Sequence, residues 1–329
     1  MTSVLHDSFG RKITYLRLSV TDRCDFRCTY CMAEKMQFLP RSEILSLEEC
    51  LLIAKTFVAL GVDKIRLTGG EPLVRKDFVW LARRMRQLGG LRELALTSNG
   101  SQLGELAAPL AEAGMDRVNI SLDSVVPETF KRITRVGELR RVLSGLDAAI
   151  GAWGSRRIKL NTVLMRGIND HELVDMVRFA LERGVDISFI EQMPLGDTGQ
   201  QRAASYLGND EALAQIKAIF ELIPSAETTG GPARYWRIPG HESRIGFISP
   251  HSRNFCADCN RMRVTARGEL FPCLGNDSMV DLLPAARAGD EGALRELILS
   301  AVAAKPKAHE FDLSRSGPSV VRFMSRTGG

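Results

Sequence analysis

Cys24, Cys28 and Cys31 stand three and two residues apart in the stretch Cys24-Asp25-Phe26-Arg27-Cys28-Thr29-Tyr30-Cys31. Three thiols so close together on one loop are poorly spaced for three separate packing roles, and they read as ligands to one metal centre. Thiolates favour zinc, copper(I) or iron–sulfur clusters, and three ligands on a four-position centre leave one site for a group that is not protein. A structural zinc normally closes its shell with a fourth Cys or His, and no histidine lies between His6 and His171. The alternative is a zinc loop that borrows a remote ligand; read as open, the coordination site is where chemistry would happen.

A second triplet follows late in the chain: Cys256-Ala257-Asp258-Cys259, then Cys273, spaced C-x2-C-x13-C. Between pair and single lies Arg261-Met262-Arg263, where strand alternation puts both arginines on one face beside the centre. Spacing alone leaves zinc open here, because His251 or His241 could close a Cys3His site. A centre with one free position flanked by two arginines would suit a substrate that is both nitrogen-rich and phosphorylated. The seventh cysteine, Cys50, sits in an apolar helical stretch and reads as core.

These residues need a scaffold, and from Ile13 to about Met193 the chain alternates short β-rich segments with longer stretches of helical spacing. The expected strands are Ile13–Val20, Lys64–Thr68, Glu93–Thr97, Arg117–Ser121, Arg157–Val163 and Asp186–Glu191. The clearest expected helices are Leu47–Leu60 and Glu172–Arg183, the first opened by a capping box of Ser46 with Glu49. Gly61, Gly114 and Gly184 each precede a Val/Met-Asp pair and a strand, as helix-ending glycines do. Such alternation implies an α/β fold with a parallel sheet and right-handed crossovers, a partial (β/α)6 barrel of the TIM type.

Along those strands one parity is apolar, and the other carries Arg17 and Ser19, then Lys64, Arg66 and Thr68, then Asn119 and Ser121, then Arg157, Lys159 and Asn161. Closed barrels usually fill their interior with branched apolar residues. Cations and amides instead imply a wet chamber for an anionic ligand, since an unpaired buried cation is costly. Ligands of parallel sheets bind at the carboxyl ends of the strands, where the cysteine loop, Thr68-Gly69-Gly70-Glu71-Pro72 and Thr97-Ser98-Asn99-Gly100 all lie. Residues 194–329 break the pattern and read as an extension covering the open side of a domain spanning 1–193.

Composition excludes several classes. The 329 residues are 44% hydrophobic and 25% charged, an ordinary globular balance, with no apolar run of the ~20 residues a membrane span needs. No signal-peptide pattern precedes Gly10, and clustered rather than evenly paired cysteines suit a reducing compartment, so a cytoplasmic protein is expected. A net charge of +5 with 6% aromatic residues gives no stacking surface for nucleic acid.

The first triplet, with Tyr30 just before its last cysteine, resembles the signature of the radical S-adenosylmethionine (SAM) superfamily. In that family the three cysteines hold a [4Fe–4S] cluster whose fourth iron is chelated by SAM, and a Gly-Gly element after the second strand binds SAM's amino end. From Phe9-Gly10-Arg11 to Gly328-Gly329 the chain is similar to the branch of that superfamily that acts on GTP to begin molybdenum cofactor biosynthesis. The resemblance implies a second [4Fe–4S] cluster on Cys256, Cys259 and Cys273, meeting the guanine of GTP. It implies SAM contacts from Tyr30, Gly70, Ser121 and Met193, and GTP contacts from Arg17, Arg66, Thr97, Lys159, Arg261 and Arg263. Arg17, Arg261, Arg263 and the tail Gly328-Gly329 would be needed for activity. The reaction implied is hydrogen removal at C3′ of GTP by a 5′-deoxyadenosyl radical, closure onto C8 of guanine, and release of 3′,8-cyclo-GTP. An external electron donor would feed the enzyme and a cyclic pyranopterin monophosphate synthase would take its product, and the resemblance allows a homodimer. Two rivals are a radical SAM enzyme with an auxiliary cluster acting on another substrate, such as a peptide, and a zinc-stabilised RNA-binding module.

Overall fold

A computed structural model describes residues 5–199, 202–315 and 317–328. Its frame is one sheet of twelve strands: β1 (Tyr15–Ser19), β2 (Lys64–Thr68), β3 (Glu93–Ser98), β4 (Arg117–Ser121), β5 (Ile158–Leu164), β6 (Asp186–Glu191), β7 (Ile223–Ser225), β8 (Arg234–Arg237), β9 (Arg244–Ile248), β10 (Arg261–Val264), β11 (Glu269–Phe271) and β12 (Val280–Asp281). β1 to β6 lie side by side in chain order, all parallel, with helices in the crossovers. This is the α/β layout that the alternating pattern predicts, left open rather than closed into a ring.

The C-terminal part does more than cover an open side. β10 joins the sheet parallel to β1, and β9 joins it parallel to β6, so the parallel array is eight strands wide. Antiparallel β11–β12 and β8–β7 then extend the two margins. Strand pairing between distant segments leaves no periodicity of its own in the sequence, so the places of β9 and β10 beside β6 and β1 are not readable from it.

Local signals hold where the physics is local. Ser46 Oγ accepts from Glu49 N–H and the Glu49 carboxylate accepts from Ser46 N–H, opening the helix Leu47–Ala59. Gly61, Gly114 and Gly184 take positive φ, the conformation that ends a helix cheaply only in glycine. β5 starts at Ile158, so Arg157, expected to point inward, lies instead in a 3-10 turn on the surface and donates to Asp116 O at the far end of the sheet. Cys50 is fully buried in the hydrophobic core, as expected.

One close approach fixes how tightly the helical layer sits. A Cβ on Gly145, in the helix Leu139–Trp153, would lie 2.1 Å from the carbonyl oxygen of Gly100 in the loop after β3. Both groups are backbone, so the helix would have to move. Gly145→Ala is expected to destabilise the fold by about 1–3 kcal/mol, read as a lower urea midpoint with an unchanged slope.

Candidate active site

Five strands deliver their polar parity into one chamber. Tyr15 and Arg17 (β1), Lys64 and Arg66 (β2), Asn119 (β4), Lys159 and Asn161 (β5) line it, with Arg261 and Arg263 from β10 and all of Cys256, Cys259 and Cys273. The register explains the cationic concentration: Arg17 lies opposite Arg66 on one side and opposite Arg263 on the other. The predicted residues Arg17, Arg66, Lys159, Met193, Arg261 and Arg263 therefore meet on one wall system. Thr97 stands one bond behind it, its hydroxyl 3.4 Å from Arg66 Nη1, while Arg66 also donates to Leu96 O at 2.8 Å and to the Tyr15 hydroxyl at 2.6 Å.

The field in this chamber is strongly positive. Burial pushes the Tyr15 phenol up, but Arg66, Arg17 and Lys64 outweigh it and bring it down to about 7. Burial and the neighbouring cations Arg66 and Arg261 hold Arg17 at about 10, and burial with Arg17 and Arg261 pushes Arg263 well below the ordinary guanidinium value. Lys159 is also lowered, by burial first. Guanidinium groups stay charged in proteins, so crowding them out of water is a standing cost that a polyanion would relieve. Sequence reading missed Tyr15 in this role, although it shares the parity of Arg17 and the alternation could have found it.

The first triplet occupies the loop after β1, and its neighbours hold that loop from several sides. The Asp25 carboxylate accepts from Asn99 Nδ2 and Ser101 Oγ, both at 2.6 Å, at the carboxyl end of β3. Glu71 is fully buried and accepts from Asn99 N–H at 2.6 Å, Ser98 Oγ at 2.9 Å and Leu73 N–H at 3.0 Å, tying the ends of β2 and β3 together. Tyr30 donates to Asp123 at 2.8 Å beyond β4. A Cβ on Gly70 would sit 2.4 Å from Arg23 O, so only glycine lets the β2 loop reach the base of the cysteine loop. Ser121, at the end of β4, is half-buried and lies in register with Asn161.

The two thiol sets differ in their electrostatic surroundings. Burial, then Asp123, pushes the Cys28 thiol well above its ordinary value, and burial holds Cys31 at about 12. Three mutually interacting buried thiols beside carboxylates are poor as bare thiolates and need a cationic centre, as cluster ligands do. At the second triplet burial is outweighed by Arg261 and Lys305, and Cys259 falls to about 7. The zinc alternative fits less well. His251 Nε2 is bonded to Gln192 O and His241 is exposed. His309, the histidine that does adjoin Cys256, hydrogen-bonds that sulfur and also engages Pro250 O through Nε2 at 2.9 Å and Phe311 N–H through Nδ1 at 3.2 Å. Three thiols beside Arg261 and Lys305 match an iron–sulfur donor set.

The chain terminus enters the same region. Met324 lines the chamber, Ser325 N–H approaches the Cys31 sulfur, and Gly328 O accepts from Arg263 Nη1 at 2.8 Å. Gly328 has φ +74° and packs so closely on Thr68, at the end of β2, that a Cβ would lie 2.2 Å from its methyl. Gly329 lies outside the described residues. The segment Met324–Gly328 thus stands between the two cysteine triplets.

With this geometry in hand, comparison with known proteins is direct. Residues 18–180 match the Radical SAM superfamily model and residues 185–311 match Molybdenum Cofactor Synthesis C. Proteins named GTP 3′,8-cyclase from Pseudomonas entomophila and Saccharophagus degradans are 56% and 52% identical, each over 99% of this chain and over 98% and 99% of their own length. Among solved structures, Streptococcus suis SuiB bound to S-adenosylmethionine aligns with a TM-score of 0.59 at 13% identity, over 95% of this chain and 75% of that one, a likeness of fold alone. With relatives this close along essentially its whole length, the chain belongs to the GTP 3′,8-cyclase family of the radical SAM superfamily.

Proposed function

We propose that the protein converts GTP to 3′,8-cyclo-7,8-dihydroguanosine triphosphate, the first step of molybdenum cofactor biosynthesis, using SAM and two [4Fe–4S] clusters. The observation that carries this reading is the single chamber in which a cysteine triplet faces a converging set of buried cations. When bound, the first cluster and SAM supply a 5′-deoxyadenosyl radical able to take hydrogen from C3′ of the ribose. Everything else falls to the chain's own residues.

Cys24, Cys28 and Cys31 hold the first cluster, and Tyr30, Gly70, Ser121 and Met193 shape the SAM site around it. Arg17, Arg66, Lys159, Arg261 and Arg263 grip the triphosphate by charge-assisted hydrogen bonds, each worth roughly 1.5–3 kcal/mol. Thr97 acts through Arg66, whose guanidinium it helps to orient. Cys256, Cys259 and Cys273 hold the second cluster, whose open position suits a guanine nitrogen. Gly328 sets the position of Arg263 against the nucleotide through its carbonyl, and Gly329 is needed with it for activity. Residues 1–193 would form the radical SAM domain, and residues 194–329 the extension that carries the second cluster and the Gly-Gly tail. Fixing the ribose beside the radical precursor and keeping water out is the protein's share of catalysis.

No side chain here can supply the starting electron, so an external reductant is required, and the cyclic product calls for a pterin-forming synthase downstream. Anaerobically reconstituted protein, incubated with SAM, dithionite and GTP, is expected to give methionine, 5′-deoxyadenosine and the cyclic nucleotide together. SAM cleavage with no GTP-derived product would reject the substrate assignment.

A further inference from the structure

Lys305 is 2% exposed, in the loop after the helix Glu291–Ala303, and the two residues before it are exposed. Its ammonium donates to Arg261 O at 3.0 Å and to Pro272 O. Those two carbonyls belong to the two separate segments that carry cysteines of the second triplet: Arg261 lies two residues after Cys259, and Pro272 immediately before Cys273. Among the described residues no carboxylate pairs with Lys305; the anionic groups acting on it are the Cys259 sulfur, which also accepts a hydrogen bond from it, and the Cys273 sulfur. Arg11 clasps the same region from the chain start, donating to Cys256 O at 2.8 Å and to Lys307 O at 2.9 Å, but its charge is matched by Asp7.

A buried cation with no carboxylate partner is expensive unless something else compensates it. We infer that Lys305 is a positioning and charge-compensating residue of the second cluster: it staples the two ligand segments together and serves as the cluster's internal counter-charge. This rests on the iron–sulfur reading of Cys256, Cys259 and Cys273. A fixed positive charge beside a cluster favours its more reduced, more negative state, so Lys305 holds the second centre's reduction potential up and leaves the first centre alone.

The experiment is an EPR-monitored redox titration of the reconstituted full-length protein and of Lys305→Gln, Lys305→Met and Lys305→Arg, with the second centre identified as the signal that changes on adding GTP. In Lys305→Gln, whose amide still donates to the carbonyls without carrying charge, the second centre's midpoint is expected to move negative by at least a tenfold change in its reduction equilibrium, 59 mV for one electron. Lys305→Arg should return it toward the parent value, and the SAM-responsive signal should stay in place throughout. Lys305→Met loses both functions and should show the same shift, or lose iron at the second centre. A Lys305→Gln protein with full iron and an unmoved midpoint overturns the counter-charge role. Absence of a GTP-responsive cluster signal in the parent would instead overturn the two-cluster reading beneath it.

Discussion

Cys28→Ala is expected to abolish both SAM cleavage and GTP conversion, a fall of at least about 10³-fold, or about 4 kcal/mol in barrier. Cys28 is the middle ligand of the first triplet, and two thiols on one loop leave a site that no neighbouring imidazole can complete. The loop itself should persist, because Asp25 with Asn99 and Ser101, and Tyr30 with Asp123, hold it without the thiol. Loss of activity should therefore come with loss of about half the iron and little change in thermal midpoint. Cys259→Ala separates the two centres: SAM cleavage should continue while GTP conversion is lost. Cys50→Ala is the control, since its thiol faces the core, and activity should be retained. Equal loss of SAM cleavage in Cys28→Ala and Cys259→Ala would mean that the triplets do not have separate tasks.

Arg17→Ala is expected to weaken GTP binding roughly ten- to hundredfold, the value of one charge-assisted contact, without destabilising the free protein. Arg17 is buried between Arg66 and Arg263 in register and donates to the Tyr15 hydroxyl at 3.5 Å, so removing it exchanges that long bond for relief of repulsion in the empty chamber and withdraws a ligand contact in the filled one. A raised KM for GTP with an equal or higher thermal midpoint is the predicted pair of results. A lowered midpoint with unchanged GTP affinity would show that Arg17 is structural. The same split should appear in Arg263→Ala, with the further effect that the Gly328 carbonyl loses its donor and the tail loosens.

Much of this site was legible in the sequence because its determinants are local or periodic. The first triplet lies within eight consecutive residues, and strand alternation placed Arg17, Arg66, Lys159 and Asn161 on one face before any geometry was known. The same alternation failed at Arg157, one residue before β5 begins, where no strand exists to orient the side chain. What the chain could not disclose is pairing across long separations. That β10 lies beside β1, setting Arg263 against Arg17, depends on docking between segments some 245 residues apart, and no local signal encodes it. His309 and Lys305 stayed hidden for the same reason, since each becomes meaningful only by touching the cysteine segments. Resemblance to a family supplied the tail's proposed role, which composition alone would have read as a loose end; the contact of Gly328 with Thr68 and Arg263 supports that proposal.

A chamber with a radical source at one end and a nucleotide holder at the other is tested most directly with GTP deuterated at C3′. The protein is incubated anaerobically with SAM and dithionite, and the 5′-deoxyadenosine formed is weighed by mass spectrometry. Deuterium in the 5′-deoxyadenosine, in step with cyclic product, is the predicted result. Cyclic product accompanied by unlabelled 5′-deoxyadenosine would contradict it, because C3′ would then lie out of reach of the group that the first triplet serves.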